Sequence, residues 1–229
     1  MRARSVRPGK TGGTGPMLIY LLRHAAVQRH NPRIFLGQSD VPLSPEGLAQ
    51  ARSLAGKLVP LSFGLVASSP LYRALHTAML ASGLGKESIQ LITAFQEINL
   101  GDWEGLSVPE VQRRYPGAYE ARGADLAHFR PPCGESFSDL AKRAWPALHD
   151  LAASRVRVGG GPVLLVAHAG VNRVLLARVN GLKLGQIFSI PQEYCALSCL
   201  HYKRGRFTCV SAIARSLAQP IPECRGNPF

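Results

Sequence analysis

The chain has 229 residues, 46% of them hydrophobic, and no break in composition that would divide it, which suits one α/β domain with a sizeable core. No apolar run approaches the length of a bilayer span, and the early run Leu18 to Leu22 is too short for a signal-peptide core, so the expectation is a soluble cytoplasmic protein without a membrane partner. The formal charge of +13 attracts nucleic acid and phosphorylated small molecules alike, but no helix-turn-helix, zinc-finger or aromatic-basic RNA motif accompanies it, which speaks against nucleic acid as the partner.

Residues 1–16, MRARSVRPGKTGGTGP, carry basic side chains, no acid and no apolar pattern, and are expected to be disordered. The GKT at Gly9 to Thr11 is no P-loop, because Arg4 stands where the leading glycine belongs and no strand precedes it. The domain is expected over 17–214, followed by a tail over 215–229. A strand at Leu18 to Leu22 leads to a helix from about Pro45 to Leu58, capped by Ser44 and carrying Leu48, Ala51, Leu54, Ala55 and Leu58 on one face. A second strand, Leu65 to Ser68, precedes a helix opened by Ser69 and Pro70, with Leu71, Leu75, Ala78 and Met79 on its apolar face. A third strand is expected near Ile89 to Ile92, then helices near Val108 to Tyr115 and from about Phe137 to Ser154. The first of these is introduced by a capping box at Ser107 and Glu110. Val163 to Ala167 is the most strand-like run and is followed by a helix from about Val171 to Val179. Ala196 to Tyr202 and Phe207 to Ile213 flank a hairpin-like turn containing Gly205. Such alternation predicts an α/β fold: a mainly parallel sheet with helices on both faces and an antiparallel edge.

Parallel strands present their carboxyl ends along one edge of the sheet, where open α/β folds keep their ligands. That edge is expected to collect Arg23 and His24, then Ser68 and Ser69 with Arg73 one helical turn on, and finally His168. Each alone reads as an ordinary polar residue. Together, two arginines, two histidines and the amide groups of helix starts suit a phosphate dianion. Two histidines without carboxylate or thiolate partners match zinc poorly, so no metal and no cofactor is expected. Five cysteines with no CxxC pair fit reduced thiols.

From Met17 to about Ile213 the sequence resembles the histidine phosphatase superfamily, also called phosphoglycerate mutase-like. Its motifs match in order at Arg23-His24-Ala25, GQSDVPLSPEG (Gly37 to Gly47), SSPLYRALHT (Ser68 to Thr77), EINLGDWEG (Glu97 to Gly105), CGES (Cys133 to Ser136) and AHAGV from Ala167. Ala25 and Ala169 replace the commoner glycine after each histidine, and His30 stands where mutases often keep an asparagine. The resemblance implies that His24 is the nucleophile, that Arg23, Arg73 and His168 hold the phosphoryl group, and that Glu97 is the general acid. Should Glu97 not be the acid, Asp102 and Glu104 in the same loop are the alternatives.

His30, Gln38 and Ala169 are candidates for substrate contact, and His30, Asn31 and Gln28 are the alternatives for taking the place of that asparagine. Trp103 is read as a packing residue beneath the acid loop. The segment between Ser107 and Ser136, with Arg113, Arg114, Tyr115, Tyr119 and Arg122, is expected to wall the pocket and to grip a second anionic or ring-bearing part of the substrate, or else to be a solvated helix face. The implied activity is a phosphomonoesterase acting through a phosphohistidine on a small phosphorylated metabolite, with α-ribazole 5'-phosphate as the named substrate. The alternatives are a cofactor-dependent phosphoglycerate mutase and a non-catalytic basic binding module.

Overall fold

The computed structural model describes residues 17–28 and 31–213. The N-terminal segment 1–16, His30 and the tail 215–229, for which the sequence set expectations, lie outside those residues. Six strands form one sheet, β1 (Met17–Arg23), β2 (Leu65–Ser68), β3 (Gln90–Leu91), β4 (Val163–Ala167), β5 (Leu197–Lys203) and β6 (Arg206–Ile213), in the spatial order β3-β2-β4-β1-β5-β6. The pairs β1/β4, β2/β4 and β2/β3 are parallel, whereas β1/β5 and β5/β6 are antiparallel. This is the mainly parallel sheet with an antiparallel edge that the alternation predicts.

Helices cover both faces, α1 (Pro45–Leu58) and α2 (Tyr72–Ser82) on one side and α5 (Phe137–Arg157) and α6 (Ala169–Val179) on the other. The period of two along a strand decides which residue meets which layer. Ile19, Leu21, Ala67, Val163, Leu165 and Ala167 join the cluster built with α5 and α6. Tyr20, Leu22, Val66, Leu164 and Val166 join the cluster built with α1 and α2. Because both faces are covered, β4 reads VLLVA without a polar interruption, and all five residues are buried. Burying each leucine contributes about 1.5–3 kcal/mol relative to leaving it in water.

Several elements differ from their expected limits. The second helix starts at Tyr72 rather than at Ser69, and its N-cap, Leu71, provides no side-chain cap. Asp40, 32 residues upstream, accepts from the Tyr72 amide at 2.7 Å instead, a long-range cap without a local signature. The third strand shrinks to Gln90–Leu91 at the sheet edge, and α5 continues to Arg157 with Pro146 on an exposed turn. Besides α3 (Val108–Arg114), whose capping box forms as expected, a short helix α4 (Ala118–Ala124) follows Gly117. It has no buried residue, so the sequence offers no apolar stripe by which to find it.

Candidate active site

The site stands where three parallel strands end side by side. Arg23 on β1 is level with Ala167 on β4, and Ser68 on β2 is level with Val166. The chain crosses from strand to loop under hydrogen bonds that continue the sheet, His24 N to Ala167 O at 3.0 Å and Ser69 N to Val166 O at 3.0 Å. His24, Arg73 and His168 are therefore brought together at one edge, and all three are buried. The two imidazole centroids lie 5.2 Å apart.

Each imidazole is oriented by a neighbour. His24 Nδ1 is 2.8 Å from the carbonyl oxygen of Ala25, so Nδ1 carries the proton and the lone pair stays on Nε2, the atom a nucleophile needs. Burial first, then the charges of Arg23 and Arg73, hold His24 well below the ordinary histidine range, leaving it neutral. His168 Nε2 lies 2.8 Å from Ser69 Oγ, and its Nδ1 is buried without a hydrogen-bond partner among the described residues. Its proton affinity is also held well down, by burial and then by Arg73, His24 and Arg23.

Two buried neutral histidines couple stability to pH. Their folded pKa values lie below the unfolded value of about 6.5, so the stability they confer is fully present above that pH and is lost as pH falls toward the folded values. The unfolding temperature of the wild type is expected to drop more steeply than that of His24→Gln between about pH 7 and pH 5. The excess slope has a ceiling of about 1.4 kcal/mol per pH unit for one histidine, and calorimetry of both proteins reads it.

The guanidinium groups are held by neutral acceptors, which leaves their charge available to an anion. Arg23 Nη1 donates to the carbonyl of Gln192, and its guanidinium carbon lies 4.1 Å from the centre of the Tyr194 ring. Arg73 donates to the carbonyls of Ser39 at 2.8 Å and Gly37 at 2.5 Å. The Nε of both arginines is buried without a partner among the described residues. Unsatisfied donors of this kind are costly in a folded protein unless a ligand completes them.

Other residues of the matched motifs act as fasteners around them. Thr77 Oγ1 accepts from the Ala25 amide at 3.0 Å and donates to Arg73 O at 2.7 Å, tying α2 to the loop that follows His24. A Cβ on Gly47 would lie 1.9 Å from Ala26 O, so only glycine lets α1 approach that loop.

Glu97 completes the constellation. Its Oε1 accepts from Ile98 N at 3.0 Å and its Oε2 from Gly170 N at 3.0 Å, so the start of α6, which carries His168 as its cap, also aims the carboxyl. Behind it, Arg143 on α5 donates to Glu97 O at 2.9 Å, to the carbonyls of Ala94 and Gln96 and to both oxygens of Glu135. The CGES motif thus supplies Glu135 as the counter-charge that fixes this clamp. A Cβ on Gly170 would lie 2.4 Å from Glu97 Oε1. Gly170→Ala is therefore expected to push the carboxyl aside and lower kcat on an alkyl phosphate by about ten- to a hundredfold, since displacement near 1 Å costs that much. The unfolding temperature, measured alongside, should change little.

The other sequence candidates divide. Ala169 lines the cleft above the pocket, as do Tyr119 and Arg122. Gln38 does not; its amide donates to Glu97 O at 2.9 Å and so holds the acid loop rather than facing a substrate. Glu104, an alternative acid, accepts the amides of Gly37, Gln38 and Ser39, and Asp102 is exposed away from the cleft, so neither is placed for proton transfer. Arg113 and Arg114 are exposed, the latter paired with Glu110 at 3.7 Å, and belong to a solvated face. Trp103 is fully buried under the acid loop, as read.

The cleft, about 850 Å³, includes residues the sequence did not single out, among them Arg33, Arg173, Phe188 and Tyr194. Arg173 lies six residues beyond Ala167, the end of β4, near the five that separate Arg73 from Ser68, the end of β2, and that signal was available. Tyr194 and Gln192 had none, because they reach the site only through the antiparallel entry of β5 beside β1.

The family model for "Histidine phosphatase superfamily (branch 1)" matches residues 19–214. A glucosyl-3-phosphoglycerate phosphatase of Mycolicibacterium vanbaalenii is 35% identical over 168 residues, 72% of this chain and 74% of the relative. The adenosylcobalamin/alpha-ribazole phosphatase of Escherichia coli is 31% identical over 166 residues, 72% of this chain and 80% of the relative. Among solved structures, the alpha-ribazole phosphatase of Shigella flexneri superposes with a TM-score of 0.79 at 26% identity, covering 90% of this chain and 100% of that one.

Proposed function

The chain belongs to branch 1 of the histidine phosphatase superfamily and is a phosphoric monoester hydrolase, and from that premise we propose that it works through a phosphohistidine on His24. In the first step His24 Nε2 attacks phosphorus in line, the ester P–O bond breaks, and the protonated carboxyl of Glu97 gives its proton to the leaving oxygen. In the second, the Glu97 carboxylate takes a proton from water, the resulting hydroxide attacks phosphorus, and the N–P bond breaks to release phosphate. Arg23 and Arg73 hold the phosphoryl oxygens throughout. With the Ser69 hydroxyl donating to His168 Nε2, Nδ1 bears the proton and is the donor left for a phosphoryl oxygen.

The observation that carries this reading is the pair of guanidinium groups, Arg73 buried and Arg23 part-buried, held by neutral carbonyls beside a histidine whose tautomer leaves the lone pair on Nε2. Release of inorganic phosphate from p-nitrophenyl phosphate tests it, and a purified, folded protein without such turnover would refute it. The positive charge comes from side chains, so EDTA is expected to leave that turnover unchanged; abolition reversed by Mg²⁺ or Zn²⁺ would remove the mechanism. The physiological substrate is a small organic phosphate. The motifs point to α-ribazole 5'-phosphate, and the mycobacterial relatives add glucosyl-3-phosphoglycerate as the second compound to assay, each by phosphate release at equal concentration.

A further inference from the structure

The edge of the sheet opposite the active site carries cations that the fold itself leaves unpaired. β1, β2 and β4 begin there and the hairpin of β5 and β6 turns there, because Met17 is level with Tyr202 while Val163 is level with Ile19 and Leu65. Lys203, Arg204 and Arg206 form the exposed hairpin tip, with Arg204 and Gly205 both at positive φ in a tight turn. Lys203 and Arg206 stand directly opposite each other, a like-charge pair of the kind that destabilises a sheet. Arg157 ends α5 at the same edge, two residues beyond Arg155, whose guanidinium donates to Gly64 O at 3.0 Å just ahead of β2. Arg178, exposed in the last turn of α6, lies 4.7 Å over the Trp145 ring, which in turn meets Phe207 of the hairpin. None of these cations is in an ion pair with a carboxylate among the described residues.

Acids are scarce in the segments that build this edge. Between Asp150 and Glu223 the single acid is Glu193, which stands at the cleft, and residues 1–39 have none. Residues 1–16 add Arg2, Arg4, Arg7 and Lys10 and join the domain at Met17, beside Tyr202. Basic side chains in a last turn answer the helix dipole, which accounts for Arg157 and Arg178 but not for the hairpin tip or the segment ahead of Met17. Apolar side chains share the edge. Val156 and Val158, 52% and 69% exposed, flank Arg157, and Leu182, 38% exposed, follows α6.

We propose that this edge docks on a bilayer surface rich in anionic lipid. The cations meet the headgroups while the valines enter the boundary beneath them. A nucleic acid fits less well. Its backbone offers nothing to exposed valines, and Trp145, Tyr202 and Phe207 are packed on one another and on His149 rather than open to stacking. The lack of a long apolar run speaks against a span and not against a surface contact, and no helix among the described residues is long and apolar enough to cross a membrane. β1 has seven residues, about 20 Å of strand, and the active site lies at its far end, so a docked molecule turns its cleft to water.

The test is co-sedimentation of the full chain with vesicles of phosphatidylcholine, alone or with about one third phosphatidylglycerol, in about 0.1 M NaCl. The bound-to-free ratio should be about tenfold or more higher on the anionic vesicles and should fall as salt rises, since each cation near such a surface favours binding about fivefold. Lys203→Glu with Arg206→Glu should lower that preference about tenfold, and deletion of residues 1–16 should reduce it without abolishing it. Val156→Ser with Val158→Ser should weaken vesicle binding about fivefold and leave binding of a labelled DNA duplex unchanged. Equal binding to the two kinds of vesicle overturns the proposal. So does a preference that survives the hairpin substitutions at an unchanged unfolding temperature, rests wholly on residues 1–16, or ignores the valines. Tight duplex binding without vesicle binding gives the edge to nucleic acid and overturns it as well.

Discussion

His24→Ala is expected to lower turnover of an aryl phosphate by roughly a thousandfold or more, because in the proposed mechanism it removes the atom that bonds to phosphorus rather than one that merely steadies it. The fold should persist: His24 lies at a strand end, and the truncation leaves the backbone hydrogen bond to Ala167 O in place. Phosphohistidine survives alkali and breaks down in acid, which gives a direct readout. Wild type mixed with labelled substrate and quenched in base should retain label on the protein, and His24→Ala should retain none. Label that persists in the variant would move the nucleophile elsewhere, and His168, 5.2 Å away between ring centres, would be the residue to examine.

Glu97→Gln should behave differently because the proposed mechanism uses Glu97 at other moments. Loss of a general acid typically costs about 10²- to 10⁴-fold, and the cost should be largest for alkyl esters, whose leaving oxygen needs the proton most. p-Nitrophenyl phosphate, a good leaving group, should be largely spared in the first step, so base-stable label should accumulate while hydrolysis waits for an activated water. The substitution has a geometric side effect. Both carboxyl oxygens accept amide N–H groups, from Ile98 and Gly170, and the new amide nitrogen must face one of these donors. A lost buried hydrogen bond costs about 1–3 kcal/mol and slows all substrates alike, so the diagnostic quantity is the difference between leaving groups and not the absolute rate. Equal slowing of alkyl and aryl esters without accumulated label would take the acid role from Glu97. Since Glu104 is engaged by three backbone amides and Asp102 faces away from the cleft, the proton would then have to come from solvent.

The sequence by itself determined the layered fold and which polar residues meet at the carboxyl ends of the parallel strands. Apolar runs such as Val163 to Ala167 report burial on both faces, and the polar residues that matter fall within a few positions of the strand ends, at Arg23, His24, Ser69, Arg73 and His168. Parallel pairing alone then places them at one edge, so no knowledge of side-chain contacts is required. Glu97 lay beyond this logic and was reached through its motif, because its aim depends on Gly170, 73 residues away. Tertiary structure alone decided what surrounds that end. Gln38 and Glu104 turn out to brace loops, Asp40 caps a helix 32 residues on, and Arg143 clamps the acid loop from α5. The rings around Arg122, those of Phe35, Phe137 and Phe188, likewise come from three separate segments. Contacts of this kind join irregular backbone across long stretches of chain, where no period of two or 3.6 relates one partner to the other, and only packing of the helices and loops against the finished sheet brings them within reach.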